Sequence, residues 1–197
     1  MHIDRAAGTV TTDLWVGGLT PDAVHAAHIH GFADGAPSLL PNLTLDADRD
    51  GFVEDAEGEP VVGPVILALT RDGSVTDAAT QANFPVADAN GSILQRETYR
   101  FDLSDPDQQS IFDALDARLA GREVQVHGLA VPATEGEGTT GEVNGTAGYK
   151  AELPVANGIL LPVGADLSAL DPTLVAQLVE TLVGNLPPAP ATDAVFA

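Results

Sequence analysis

An all-β fold, an antiparallel sandwich or barrel carrying one inserted helix and one C-terminal helix, is what the sequence predicts. Three observations carry it: apolar residues alternate over short runs, Gly, Asp, Asn and Pro separate the runs, and apolar residues make up 44% of 197 residues. A chain of this length forms one sizeable core more readily than two. Aromatic residues are only 5%, so that core must be built mainly from Val, Leu, Ile and Ala.

The first element spans residues 9–16, where Val10, Thr12, Leu14 and Val16 share one face and Gly17-Gly18 ends the run. Strands are also expected over Val24 to His30, Val61 to Leu69, Ile93 to Phe101, Glu123 to Leu129 and Thr146 to Leu153. Arg71-Asp72-Gly73 and Ala89-Asn90-Gly91 are turn signals between them. One helix interrupts the series: Asp105 can cap it, Pro106 suits its first position, and Ile111, Leu115 and Leu119 recur every four residues until Gly121. A second helix starts at Asp171-Pro172, with Leu174, Leu178 and Leu182 on one stripe, Gly184 as terminator, and Pro187-Pro188-Ala189-Pro190 beyond. Residues 1–160 are thus read as the β domain and 161–197 as a C-terminal helix and Pro-rich tail. The 171–184 stripe either docks on the same domain or pairs with another chain, as a homo-oligomer or with a different partner.

A formal charge of -21, from 29 acidic and 8 basic residues, repels nucleic acid and anionic membranes alike, so neither is expected as a partner. No apolar run reaches the roughly 18 residues a membrane span needs. Met1-His2-Ile3-Asp4-Arg5 lacks the apolar stretch of a signal peptide, so export implies a leader already removed. With no cysteine, disulfides and thiolate metal sites are out of consideration.

Histidine is where the chemistry gathers. In Val24-His25-Ala26-Ala27-His28-Ile29-His30-Gly31 a strand puts His28 and His30 on one face and His25 on the other. Two imidazoles at i and i+2 can hold one metal ion, and Glu123-Val124-Gln125-Val126-His127 offers a third ligand from another strand, its valines toward the core and its imidazole outward. An all-imidazole set suits copper or zinc, and copper(II) binds more tightly at equal availability. A set of surface or hydrogen-bonded histidines without metal is the plainer alternative.

Gly18-Leu19-Thr20 followed by the run Val24 to Asp34 resembles the copper-binding strand of copper-zinc superoxide dismutases. Gly121 to His127 resembles the segment with that family's last copper ligand, and Gly145-Thr146-Ala147-Gly148-Tyr149-Lys150 its glycine-rich segment whose arginine guides the substrate anion. The resemblance implies a Greek-key sandwich with His28, His30 and His127 as copper ligands, His25 as a supporting histidine, and Lys150 in the arginine's catalytic place. His-Ile-His-Gly with a later Val-His is also similar to CHRD domains of exported proteins, which implies a secreted, periplasmic or cell-surface location. Between Gly31 and Phe101, where the family carries its bridging and zinc-binding histidines, there is none, so no zinc site is expected. Lys150 is a point charge where the family has a bidentate fork. Metal binding tolerates these departures better than fast dismutation does.

The acidic run Asp46-Ala47-Asp48-Arg49-Asp50-Gly51-Phe52-Val53-Glu54-Asp55-Ala56-Glu57 fits a calcium loop. Its oxygens would be Asp46, Asp48, Asp50, the carbonyl of Phe52, a water near Glu54, and bidentate Glu57. The flanks Pro41 to Leu45 and Gly58 to Pro60 read as non-helical, so an isolated loop from 46 to 57 is expected. A solvated acidic turn is the alternative.

Together these readings point to an exported copper-binding protein with a calcium-stabilised loop, acting as a copper-only superoxide dismutase or another copper redox protein. The alternative is a non-catalytic CHRD-like calcium-binding module for structure or adhesion. Against fast dismutation, Glu135, Glu137, Glu142 and the overall charge repel superoxide, and Lys150 is the only lysine to offset them.

Overall fold

The alternating run at residues 9–16 becomes β2 (Thr9–Val16), the middle strand of a three-stranded antiparallel sheet between β1 (His2–Asp4) and β5 (Ile93–Arg100). The structure, a computed structural model, describes residues 1–161. The helix expected from Asp171 and the tail after it lie outside the described residues. Pairing of β2 with β5 is unbroken from Thr9 opposite Arg100 to Val16 opposite Ile93. Val10 and Tyr99 face inward as a pair, whereas the pair Trp15 and Leu94 faces out, 80% and 87% exposed.

A second antiparallel sheet has the order β4 (Val65–Ala68), β3 (Ala27–His30), β6 (Glu123–Val131), β7 (Gly148–Ile159). One apolar cluster joins the sheets, with Val10, Ile93 and Tyr99 from the first and Ala27, Ile29, Leu67 and Val126 from the second. Among the described residues the fold is therefore mostly β and sandwich-like, with two helices, α1 (Asp55–Val62) and α2 (Pro106–Ala117). No helix among the described residues is long and apolar enough to cross a membrane.

Where the elements depart from the sequence reading, specific backbone groups decide. The strand expected from Val24 begins only at Ala27, and Val24 makes an isolated bridge to Val86. His25 N–H reaches the carbonyl of Pro85, but Pro85 has no N–H to continue a ladder. Val61 and Val62, expected in a strand, end α1, which also makes the C-terminal flank of the acidic loop helical. Glu54 and Glu57 form a capping box there. Gly63, at φ 85, terminates the helix.

For α2, Asp105 caps as expected, accepting the N–H groups of Asp107 and Gln108, and Phe112 and Leu115 are buried. It stops at Ala117, short of Gly121, because Arg118 is extended and its carbonyl accepts the buried Arg122 guanidinium at 2.9 Å. β7 runs on to Ile159, through Pro154. No further strand pairs with its outer edge among the described residues, so the missing N–H is tolerated.

Candidate metal centre

Strand alternation places His28 and His30 on either side of buried Ile29, and β6 lies beside them with Gln125 opposite His28 and Glu123 opposite His30. Two residues on, His127 falls on the same face, while Val126 joins the core as expected. The imidazole is not outward in the sense of solvent: His127 is 4% exposed, covered by its neighbours. A bulge beside it, with Gly128 at φ 108, tightens the local twist.

One nitrogen from each of His28, His30 and His127 lies within 4.8 Å of the other two. His30 Nδ1 donates to the carbonyl of Gly63 at 2.9 Å, and His127 Nδ1 donates to that of Glu152 at 2.7 Å. Those bonds fix the tautomers and leave each Nε2 with a lone pair directed away from the carbonyl. His30 Nε2 is buried without a hydrogen-bond partner among the described residues. His28 Nδ1 stands 3.4 Å from His127 Nε2. Two nitrogens each about 2.0 Å from one ion are separated by about 3.3–3.5 Å at bond angles near 110–120°. Burial, and then the neighbouring His127 and His30, lower the His28 ring to about 3. Burial also lowers His30 and His127. Neutral imidazoles are the form that ligates metal.

His25 is fully buried, with its ring nitrogens 2.8 Å from the carbonyl oxygen of His127 and 2.9 Å from that of Thr20. With its proton on Nδ1 the ring donates to the His127 carbonyl and ties that backbone to the segment before β3. The Lys150 ammonium donates to Thr146 Oγ1 at 3.0 Å, and this residue does not line the cavity beside the histidines. That cavity, of about 480 Å³, is bordered by His28 and His127 together with Asp55, Asp77 and Glu152, and by no lysine or arginine among the described residues.

The acidic loop forms a second cluster. Asp46, Asp48 and Asp50 bring carboxylate oxygens within 4.8 Å of one another. Asp46 accepts the N–H groups of Arg49, Asp50 and Gly51, curling the loop around it, and Gly51 supplies the sharp turn at φ 94. Asp50 is 9% exposed, and its Oδ2, like Asp48 Oδ1, is buried with no partner among the described residues. Burial first, then Asp48, Glu54 and Asp46, raise the Asp50 carboxyl above the usual range. The later positions are engaged differently from expectation. Glu57 accepts Ala47 N–H at 2.7 Å and Glu54 N–H at 2.9 Å, and Glu54 accepts Val143 N–H at 2.7 Å. Phe52 N–H donates to Asp50 Oδ1. Both clusters have the donor sets of metal sites.

No family model and no curated protein matches the chain. The sites therefore stand on their own geometry. Sequence reading missed the groups that orient the ligands, namely the carbonyls of Gly63 and Glu152, because backbone acceptors leave no residue-type signal. It also passed over Glu123, fully buried with neither carboxyl oxygen partnered among the described residues, although it alternates in register with Gln125 and His127.

Proposed function

We propose that the chain is an exported copper-binding protein of superoxide dismutase-like, Greek-key fold, with a calcium-stabilised loop. The observation that carries this is the three-nitrogen cluster of His28, His30 and His127, two rings oriented by carbonyls and one Nε2 left without a partner. Imidazoles without thiolate or carboxylate favour copper(II) over zinc by the Irving–Williams order. Crossovers that bring β2 beside β5 and β3 beside β6 agree with a Greek key. When bound, copper supplies one-electron redox chemistry. The protein's part is to hold three neutral imidazoles in place, wall the site with Phe84 against His28 at a ring distance of 5.1 Å, and set the charge of the approach. Asp55, Asp77 and Glu152 make that approach acidic, so superoxide dismutation, if present, is slow and speeds up with salt.

Copper(II) titration of metal-free protein, read by electron paramagnetic resonance, tests the reading. One ion per chain is expected, with His127→Ala weakening it at least about 100-fold while far-ultraviolet circular dichroism is unchanged. Equal affinity in that variant would remove the histidines from the site.

The unpartnered Asp50 and Asp48 oxygens favour calcium in the loop, which is also the basis of the alternative reading as a CHRD-like structural module. Calcium at about 100 times its dissociation constant stabilises the native state by about 2.7 kcal/mol. For a chain of this size that raises Tm by about 5–10 °C. Glu57→Gln should lose most of the shift; identical melting with calcium and without it would leave only a solvated acidic turn.

A further inference from the structure

Two routes of hydrogen bonds lead from the acidic loop to the histidines. Along the first, Glu54 is the N-cap of α1 and Glu57 closes the capping box, while the other end of the same helix is Gly63, whose carbonyl holds His30 Nδ1 at 2.9 Å. Eight residues make this helix about 12 Å long, so the two sites are separated by little more than two turns. Its far end is braced. Ser38 Oγ donates to the Val62 carbonyl at 2.8 Å, and Gly63 lies so close to Gly31 that a Cβ would come within 2.7 Å of its carbonyl carbon.

The second route runs through the segment before β7. Asp48 Oδ2 accepts Thr140 N–H at 3.3 Å and Glu54 Oε1 accepts Val143 N–H at 2.7 Å, gripping residues 140–143 from the acidic loop. Glu142 in that segment accepts Glu152 N–H at 3.0 Å, and the Glu152 carbonyl accepts His127 Nδ1–H at 2.7 Å. Thus carbonyls that orient two of the three rings belong to segments the loop secures.

Three carboxylates packed together repel one another, and the loop that carries them is the same loop that caps α1 and grips residues 140–143. A divalent cation on the buried, unpartnered Asp50 and Asp48 oxygens replaces that repulsion with attraction and fixes both routes at their origin. We propose that calcium in the loop raises the copper(II) affinity of His28, His30 and His127, with Gly63 and Glu152 as the positioning groups. This rests on the copper reading above. Direct repulsion between two cations acts with the opposite sign, so a rise in affinity reports the connection through the protein. Linkage is reciprocal: copper(II) must raise calcium affinity by the same factor.

The test titrates full-length protein with copper(II), against a competing copper chelator of known affinity, in resin-treated calcium-free buffer and again at saturating calcium chloride. Copper affinity is expected to rise about 5-fold or more with calcium. Calorimetric titration with calcium should show the same factor between copper-loaded and metal-free protein. Asp50→Asn, which keeps an oxygen for Phe52 N–H, should abolish the rise in copper affinity between calcium-free and calcium-saturated buffer. Copper bound equally well in both buffers would overturn the coupling and leave the copper site standing. A calcium effect that persists in Asp50→Asn would overturn the route through the loop. No copper bound in either buffer would overturn both the coupling and the reading beneath it.

Discussion

Replacing Glu123 by Gln is expected to stabilise the metal-free protein above neutral pH, by a margin that grows between about pH 4.5 and 8. The residue is fully buried, neither oxygen is partnered among the described residues, and burial, helped by the charge of Asp55, lifts its carboxyl to about 8 from an ordinary 4.5. Between those values the folded chain keeps a proton that the unfolded chain has released. At this group the native state therefore binds more protons than the unfolded state, and its contribution to stability falls as pH rises through this window. The loss is about 3 kcal/mol at pH 7 and up to about 5 kcal/mol above pH 8. An amide has no such ionisation, so the gain in Glu123→Gln should approach those values at high pH and vanish near pH 4. Urea unfolding of both proteins at pH 4, 6 and 8 measures it. A pH-independent difference would mean that Glu123 ionises freely in the fold.

The second large effect falls on Gly63. At φ 85 and ψ 171 it occupies a region that is essentially glycine-only, and a Cβ would meet the Gly31 backbone at 2.7 Å. Gly63→Ala is expected to cost about 3 kcal/mol or more, lowering Tm by about 6–12 °C. Because the Gly63 carbonyl fixes the His30 ring, copper affinity should fall about 10- to 100-fold as well, in the manner of other lost partners of ligating histidines. Differential scanning calorimetry and copper titration of the same preparation check both. A wild-type melting curve would show that the end of α1 can shift without penalty, and wild-type copper affinity would detach His30 from that carbonyl.

Much of this was legible in the sequence because period-two alternation survives in single strands. Residues 9–16 form the strand expected, Ile93–Arg100 falls within the run expected from Ile93 to Phe101, and the placement of His28, His30 and His127 on one face follows from parity along β3 and β6. The failures are of another kind. The strand expected to start at Val61 was overruled by a capping box four to seven residues earlier, where the calcium-loop reading had already claimed Glu54 and Glu57 for a cation. Position twelve of that loop shows the competition directly: both Glu57 oxygens accept backbone N–H groups.

The outward pair on β2 and β5 bears on how any of these measurements is read. Trp15 is the sole tryptophan and is 80% exposed, beside Leu94 at 87%. Its indole already sits in water in the native state, so the usual red shift of tryptophan emission on denaturation has little room to occur. Fluorescence at that residue reports the open face of the first sheet, not the integrity of the core. Tyr99 is the aromatic that does report it, fully buried, its hydroxyl donating to the Thr70 carbonyl at 2.8 Å. Near-ultraviolet dichroism from that ring follows the core with no added label.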